Sequence, residues 1–347
     1  MKDAPIIIVS GPTAAGKTVL ALRLAEYFDG EIINVDSVQM YKECNIGSAK
    51  PTLSEMRNIK HHLFDLCTPS EKNSAASFLR SADVAISDIE KRGKVVIACG
   101  GTTLYLKALL YGLADLPKGD SDLRSNLEEL SNEDLFKVLQ ERDPLSAAKL
   151  HPNDRKRVIR ALEVQTLYGV TASKLQAEHA FLELQRSAFT IIPCYSREEL
   201  YNRIDKRTQT MLDNGLLAEV QALILKYGED APVLNTVGYA EAKAYLLGEL
   251  KKEELAPAIA QATRRLAKRQ LTFWRNEPQK RGWSIFMKEG SQGLVSTNST
   301  PQSKRGVQKD FIPHQISFSN LCRAITDFKN KNGDYTVQII FCAADYL

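Results

Sequence analysis

The first hundred residues alternate between short, continuous apolar runs and longer stretches with helical spacing. Ile6-Ile7-Ile8-Val9 offers no polar position to solvent, which predicts a strand buried on both faces. Leu20, Leu24 and Phe28 then recur four apart, which predicts a helix over 19–28. Residues 31–35 read as a second strand and 94–99 as a third. Between them 77–91 reads as a helix with Phe78, Ala82, Ala85 and Ile89 as its apolar stripe, and 104–111 follows as another helix. Strands alternating with helices imply an α/β fold, a parallel sheet flanked by helices.

The pattern changes after Leu116-Pro117-Lys118-Gly119. The next seventy or so residues are polar and helical with no strand candidate, until Phe189–Cys194 returns to an apolar run. An all-helical domain at 117–187 is therefore expected, inserted into a core made from 1–116 and 188–287. Helices are predicted over 197–227 and 256–276. Residues 288–310 are rich in Ser, Gly, Gln, Thr and Lys, with little to bury, and predict a flexible linker. Residues 311–347 carry apolar patches ending in Val337–Phe341 but no functional signal, so 288–347 stands as a linker and C-terminal extension of unknown role.

Composition narrows the class only a little. A chain of 347 residues that is 44% hydrophobic and 25% charged is an ordinary globular protein with room for a large core. The net charge of +4 does not by itself mark a nucleic-acid binder, so the placement of the cations matters more than their number. None of the six cysteines forms a Cys-x-x-Cys pair, which argues against a zinc finger and against a disulfide framework. With no signal peptide and no run long enough to span a membrane, a monomer in a reducing cytoplasm is the default expectation.

The strongest motif is Gly11-Pro12-Thr13-Ala14-Ala15-Gly16-Lys17-Thr18, which fits G-x-x-x-x-G-K-[ST] between a predicted strand and a predicted helix. Glycines let backbone N–H groups wrap a phosphate, and the helix N-terminus adds the positive end of its dipole. Lys17 supplies a point charge, and the Thr18 hydroxyl can ligate Mg²⁺. The motif implies a bound di- or triphosphate and leaves the reaction open. Nucleotide hydrolases and kinases usually carry an acidic metal-holding residue at the end of a later strand. Here the third strand runs into Cys99-Gly100-Gly101-Thr102 without a carboxylate. The second strand runs into Asp36-Ser37-Val38-Gln39-Met40-Tyr41. Its carboxyl end is where a parallel sheet places its ligand, so Asp36 can hold Mg²⁺, accept a proton or simply cap a turn.

Taken in order, these motifs resemble the tRNA dimethylallyltransferase (isopentenyl-tRNA transferase) family, bacterial type. The likeness runs over about residues 5–285. It rests on the phosphate loop, Asp36-Ser-x-Gln-x-Tyr and Gly100-Gly101-Thr102-Thr103-Leu104-Tyr105. It continues through His151-Pro152-Asn153-Asp154 with Arg157, Arg160 and Glu163, then Gly238-Tyr239 and Thr263-Arg264-x-x-Ala267-Lys268-Arg269-Gln270. Ala15 stands where many members have Ser, and the chain after about 287 has no recognised counterpart. The resemblance implies a P-loop NTPase-like fold and transfer of a dimethylallyl group from its diphosphate to adenine N6. The target would be the adenosine 3′ of the anticodon in tRNAs that read codons starting with U, and Mg²⁺ the cofactor. It further implies that the phosphate loop and Arg207 bind the diphosphate. Asp36 would take the proton, Thr102 would position the reacting groups, and Ser37, Val38 and Gln39 would touch the flipped-out base.

The chemistry needs strong electrostatics on the leaving group and a modest base at the amine, and no covalent nucleophile. Lys17, Arg207 and the loop N–H groups suit the first need and Asp36 the second. An adenine in an RNA loop must also be splayed out of its stack, which calls for a basic surface nearby. On a helical wheel of 258–275, Ile259, Ala262, Leu266 and Phe273 share one face. Arg264, Lys268 and Arg275 lie opposite, flanked by Arg265 and Arg269, with only Glu277 offsetting them nearby. The segment Lys156-Arg157-Val158-Ile159-Arg160 with Arg155 is a second candidate contact for the tRNA anticodon stem-loop. Adjacent His61 and His62 would point to opposite faces of an extended segment and are expected to be structural, and Trp274 and Trp283 to be packed. Three rival readings remain: a small-molecule kinase or NTPase, a prenyltransferase acting on free adenine nucleotide, and an RNA-binding protein with a relic phosphate loop.

Overall fold

The computed structural model describes residues 4–114, 119–179, 183–281, 284–288, 294–298, 316–330 and 337–343. The chain forms two compact units, one from residues 1–110 with 185–347 and one from 111–184. The second unit begins six residues before the insertion expected at 117–187 and ends three before its end.

The first unit begins β1 (Ile6–Val9), α1 (Lys17–Phe28), β2 (Gly30–Asn34), β3 (His61–His62), α2 (Ala75–Lys91), β4 (Val95–Cys99) and α3 (Thr103–Tyr111). The inserted unit is helical: α4 (Ser121–Glu128), α5 (Asn132–Arg142), α6 (Pro144–Ala147), α7 (Arg155–Tyr168) and α8 (Ala172–His179). The chain then returns through β5 (Ala188–Cys194), α9 (Arg197–Asp213), α10 (Leu216–Tyr227), α11 (Tyr239–Leu246) and α12 (Lys252–Arg281). It ends in β6 (Ser284–Lys288), β7 (Leu294–Asn298), α13 (Phe318–Lys329) and β8 (Val337–Ala343). The single helix expected over 197–227 is thus two, broken at Asn214-Gly215.

One sheet runs β3-β2-β4-β1-β5-β8-β6-β7, with every neighbouring pair parallel except β6–β7. β1 lies at its centre, and all four of its residues are buried, as an unbroken apolar run requires in a sheet covered on both faces. Its neighbour β4, and β2 beyond it, end at the same level as β1, with Val9 opposite Cys99 and Asn34 opposite Cys99. Three loops therefore leave one edge of the sheet side by side, carrying the phosphate motif, Asp36 and Thr102.

The C-terminal extension has a structural role that its sequence did not disclose. β8 pairs with β5 in parallel from Val337 opposite Ala188 to Ala343 opposite Cys194. Leu321, Cys322, Ile325 and Phe328 of α13 are buried in one core with Leu20 and Leu24 of α1 and Phe189 and Ile191 of β5. The Phe189 and Phe328 rings meet with centroids 5.7 Å apart. Within the segment expected to be a linker, 294–298 forms β7, and most of the rest lies outside the described residues, as does Trp283. His62 Nε2 sits 2.6 Å from Glu31 Oε2 and His61 Nδ1 bonds the carbonyl of Ile59, so the histidine pair is structural.

The inserted unit packs its own core from Leu135, Leu139, Val158, Ile159 and Leu162. Val158 and Ile159 are 0% and 4% exposed, so their side chains do not reach RNA, contrary to the sequence expectation. They occupy the inward face of a helix whose outward face carries the charges. Glu163, fully buried, accepts from Arg124 at 2.8 Å and Arg160 at 2.7 Å.

Candidate active site

The phosphate loop is built from backbone that only a few residues tolerate. Gly16 caps α1 at φ 77° and Ala14 sits at φ 64°, both in the left-handed region. The loop is held by one of its own residues and by two from outside. Lys17 Nζ donates to the Pro12 carbonyl at 2.7 Å, and Arg203 Nε donates to the Ala14 carbonyl at 2.9 Å. The Thr13 N–H donates to Gln270 Oε1 at 2.9 Å, so that N–H is already engaged within the protein. Thr18 is exposed in the first turn of α1.

Asp36 follows β2 in a turn that its own side chain closes. Its Oδ1 accepts from the N–H groups of Val38 at 2.9 Å and Gln39 at 3.4 Å. Asn34, buried at the end of β2, fixes the Asp36 backbone from both sides: its Oδ1 accepts from Asp36 N and its Nδ2 donates to Asp36 O, each at 3.0 Å. Thr102 reaches the same turn. Its Oγ1 accepts from Ser37 N at 3.0 Å, and its own N–H donates to the Val35 carbonyl at 3.1 Å. Such an approach requires Gly100, because a Cβ there would lie 2.2 Å from the Val35 carbonyl oxygen.

These loops open onto a cavity of about 470 Å³, lined among others by Thr13, Asp36, Ser37, Thr102, Arg207 and Arg269. That volume lies within the ~300–1,000 Å³ of small-molecule sites. A second cavity of about 560 Å³ is lined by Thr18, Lys50, Thr52 and Arg57, and shares Arg207 and Met211 with the first. Lys17 belongs to the same charged set. Burial pushes its ammonium down to about 8, with Arg207 pushing the same way and Cys99 and Asp36 opposing. Burial also lowers Arg207 from its ordinary value, against the pull of Asp36. A site that strains two cations against desolvation is prepared for an anion.

Of the sequence-predicted residues, Thr13, Asp36, Ser37, Val38, Thr102, Arg207 and Arg269 converge on one cavity. Gln39 does not line it. Its Nε2 donates instead to the carbonyls of Ser48 and Ala49 at 3.1 Å, holding the loop that forms one wall. On α12, Arg265, Lys268, Arg269 and Arg275 are exposed. Arg264 is turned to α9, where it pairs with Asp205 at 2.5 Å. Glu277 is buried and pairs with Lys107 at 2.8 Å, so it does not offset the surface charge as expected. In the inserted unit, Lys156 and Arg157 are exposed, with Arg157 3.2 Å from Asp154. The sequence alone assigns no role to Asn34 or Gln270, and for the first the signal is a polar residue at the end of a buried strand. Among the described residues no group of three or more His, Cys, Asp or Glu is set to hold a metal ion, and no helix is long and apolar enough to cross a membrane.

The description "IPP transferase" belongs to a family model that matches residues 39–277. The chain is 45% identical over 277 residues to tRNA dimethylallyltransferase 1 of Citrifermentans bemidjiense, covering 80% of this chain and 90% of that one. The chain belongs to the tRNA dimethylallyltransferase family. The family is one of prenyltransferases with a P-loop NTPase-like fold, and its solved structures share this architecture. The tRNA isopentenylpyrophosphate transferase of Bacillus halodurans aligns at 34% identity with a TM-score of 0.58, over 79% of this chain and 88% of that one. A eukaryotic dimethylallyltransferase, solved in snapshots of its action on tRNA, aligns at 31% identity with a TM-score of 0.69, over 78% and 70%.

Proposed function

We propose that this family member transfers the dimethylallyl group of dimethylallyl diphosphate to N6 of adenosine 37, just 3′ of the anticodon, in tRNAs that read codons starting with U. The observation that carries the proposal is a cavity that Thr13 of the phosphate loop lines together with Asp36, Thr102 and Arg207. The exocyclic amine is a weak nucleophile because its lone pair is delocalised into the ring. The leaving group is a good one once its charge is neutralised. As the N6–C1 bond forms and the C1–O bond breaks, the electron pair leaves with diphosphate and the N6 proton passes to Asp36. With Oδ1 engaged by Val38 and Gln39, Oδ2 is the oxygen that takes it. Lys17, Arg207 and the free N–H groups of the loop stabilise the charge that develops on diphosphate. Thr102 keeps Ser37 and Asp36 in register with that cradle.

Mg²⁺ fits this site in the way it usually meets phosphates, with one or two protein ligands, retained waters and substrate oxygens. The exposed Thr18 hydroxyl, at the start of α1 and on the second cavity that shares Arg207 with the first, would hold it, and when bound it would supply further neutralisation of the diphosphate. The exposed cations of α12, and Lys156 and Arg157, would contact RNA phosphates. The six cysteines are all free, which suits a cytoplasmic enzyme. Mass spectrometry of tRNA nucleosides after incubation with dimethylallyl diphosphate tests the proposal, with AMP as a parallel acceptor. N6-(dimethylallyl)adenosine at one anticodon-loop position is expected. Faster transfer to AMP would instead make this an enzyme of free nucleotides.

A further inference from the structure

Gln270, on α12, is only 6% exposed although it carries a primary amide. Its Oε1 accepts from Thr13 N at 2.9 Å, and its Nε2 donates to the Gly101 carbonyl at 3.0 Å. Only this orientation of the amide sets an acceptor against an N–H and a donor against a carbonyl. The two backbones it joins leave the ends of β1 and β4, which pair side by side. One side chain thus clamps the phosphate loop to the loop of Thr102. The space is reserved for it, because a Cβ on Gly101 would come within 2.2 Å of Nε2. Releasing the Gly101 end would leave a buried carbonyl unpaired, and releasing the other would free a part-buried N–H, so the clamp resists motion.

The other two handles on the loop are of a different kind. Lys17 and Arg203 hold the Pro12 and Ala14 carbonyls through cationic groups. An incoming diphosphate competes for cations. Gln270 is neutral and faces no such competition, so its contacts persist when the site fills.

We propose that Gln270 is a positioning residue for the diphosphate cradle. It holds Thr13 so that the following N–H groups converge on phosphate, and it sets the separation between the cradle and the Thr102–Ser37–Asp36 side of the cavity. The inference rests on the prenyl-transfer reading of this site, but its test does not depend on turnover.

The test uses the full chain and inorganic pyrophosphate as the probe, measured by calorimetry, alongside kinetics with dimethylallyl diphosphate. Gln270→Leu keeps most of the volume and removes both hydrogen bonds. Pyrophosphate binding should weaken roughly tenfold, and KM for dimethylallyl diphosphate should rise to match, with tRNA affinity held within about twofold. Gln270→Glu adds a readout that mere packing would not move. A neutral carboxylic acid can both donate and accept, whereas the carboxylate cannot donate to Gly101. The ratio of variant to wild-type pyrophosphate affinity should therefore recover as pH falls. Wild-type pyrophosphate affinity in Gln270→Leu, or a Gln270→Glu ratio that is flat with pH, overturns the proposal. Should Gln270→Leu not fold, the pH ratio of Gln270→Glu decides alone. A wild-type chain that binds pyrophosphate but prenylates nothing would sink the reaction assignment and leave the clamp to be judged on binding.

Discussion

Raising the pH should strip the diphosphate site of one of its cations well below the ordinary lysine range. Burial sets Lys17 at about 8 in the free protein, from an ordinary value of 10.5. Bound diphosphate favours the ammonium, so the complex titrates higher. Linkage then gives an apparent dissociation constant proportional to one plus ten to the power (pH minus the free pKa) while the complex stays protonated. Between about pH 7 and pH 9 that factor grows roughly tenfold, and near pH 8 each binding event should take up about half a proton. Calorimetry with pyrophosphate in two buffers of different ionisation enthalpy measures both quantities. Lys17→Met serves as the control for titration of the ligand itself, and it should bind weakly at every pH with no such slope. Loss of fold cannot mimic the effect. Because the folded-state pKa lies below the unfolded one, the unfolded chain holds more protons between about 8 and 10.5, so this group's contribution to stability rises with pH across that window. Affinity that stays constant from pH 7 to 9, with no proton uptake, would refute the claim that a buried Lys17 faces the phosphate.

Asp36→Asn should keep the turn, because an amide oxygen can still accept from Val38 and Gln39, yet it lowers transfer by about 10²–10⁴-fold. Pyrophosphate affinity should hold or improve in that variant, since a negative charge near Lys17 and Arg207 is gone; equal losses of rate and binding would argue against a base. Neutralising Lys268 or Arg269 should lower the slope of log tRNA affinity against log salt by roughly 0.7–0.9 each. Arg264→Gln should leave that slope alone because Arg264 is committed to Asp205, and filter binding across a salt series separates the two cases. Deleting 312–347 exposes the core that α13 and β8 close. Burying each large apolar side chain is worth about 1.5–3 kcal/mol against a net stability of about 5–15 kcal/mol, so a soluble chain that still melts cooperatively would contradict the packing described.

The alternation of apolar runs with helical spacing was enough to read most of the first unit. β1, β2, β4 and β5 fall within a residue or two of their predicted bounds, because strands buried on both faces are mostly apolar, with Glu31 and Asn34 of β2 admitted only where partners satisfy them. The phosphate loop was legible for a different reason. Its glycines and Lys17 are required locally by backbone geometry and charge, whatever packs around them. By contrast, Val337–Phe341 reads only as an apolar patch and not as the partner of β5, since pairing across some 150 positions leaves no trace in local periodicity. The helical wheel of α12 is incomplete for a related reason. Gln270 and Glu277 look like surface residues until Thr13, Gly101 and Lys107 are seen to satisfy them in the interior.

The chain by itself therefore determined most of the strands and helices of the first hundred residues, the phosphate-loop motif between β1 and α1, and the carboxylate that follows β2, because each depends on residues close together in sequence. Only the folded molecule decided that Asn34 braces Asp36, that Gln270 clamps two loops and that Val158 and Ile159 turn inward. It also decided that the C-terminal strand lies within the sheet. These depend on which distant groups come within hydrogen-bond or van der Waals reach, and that is set by tertiary packing.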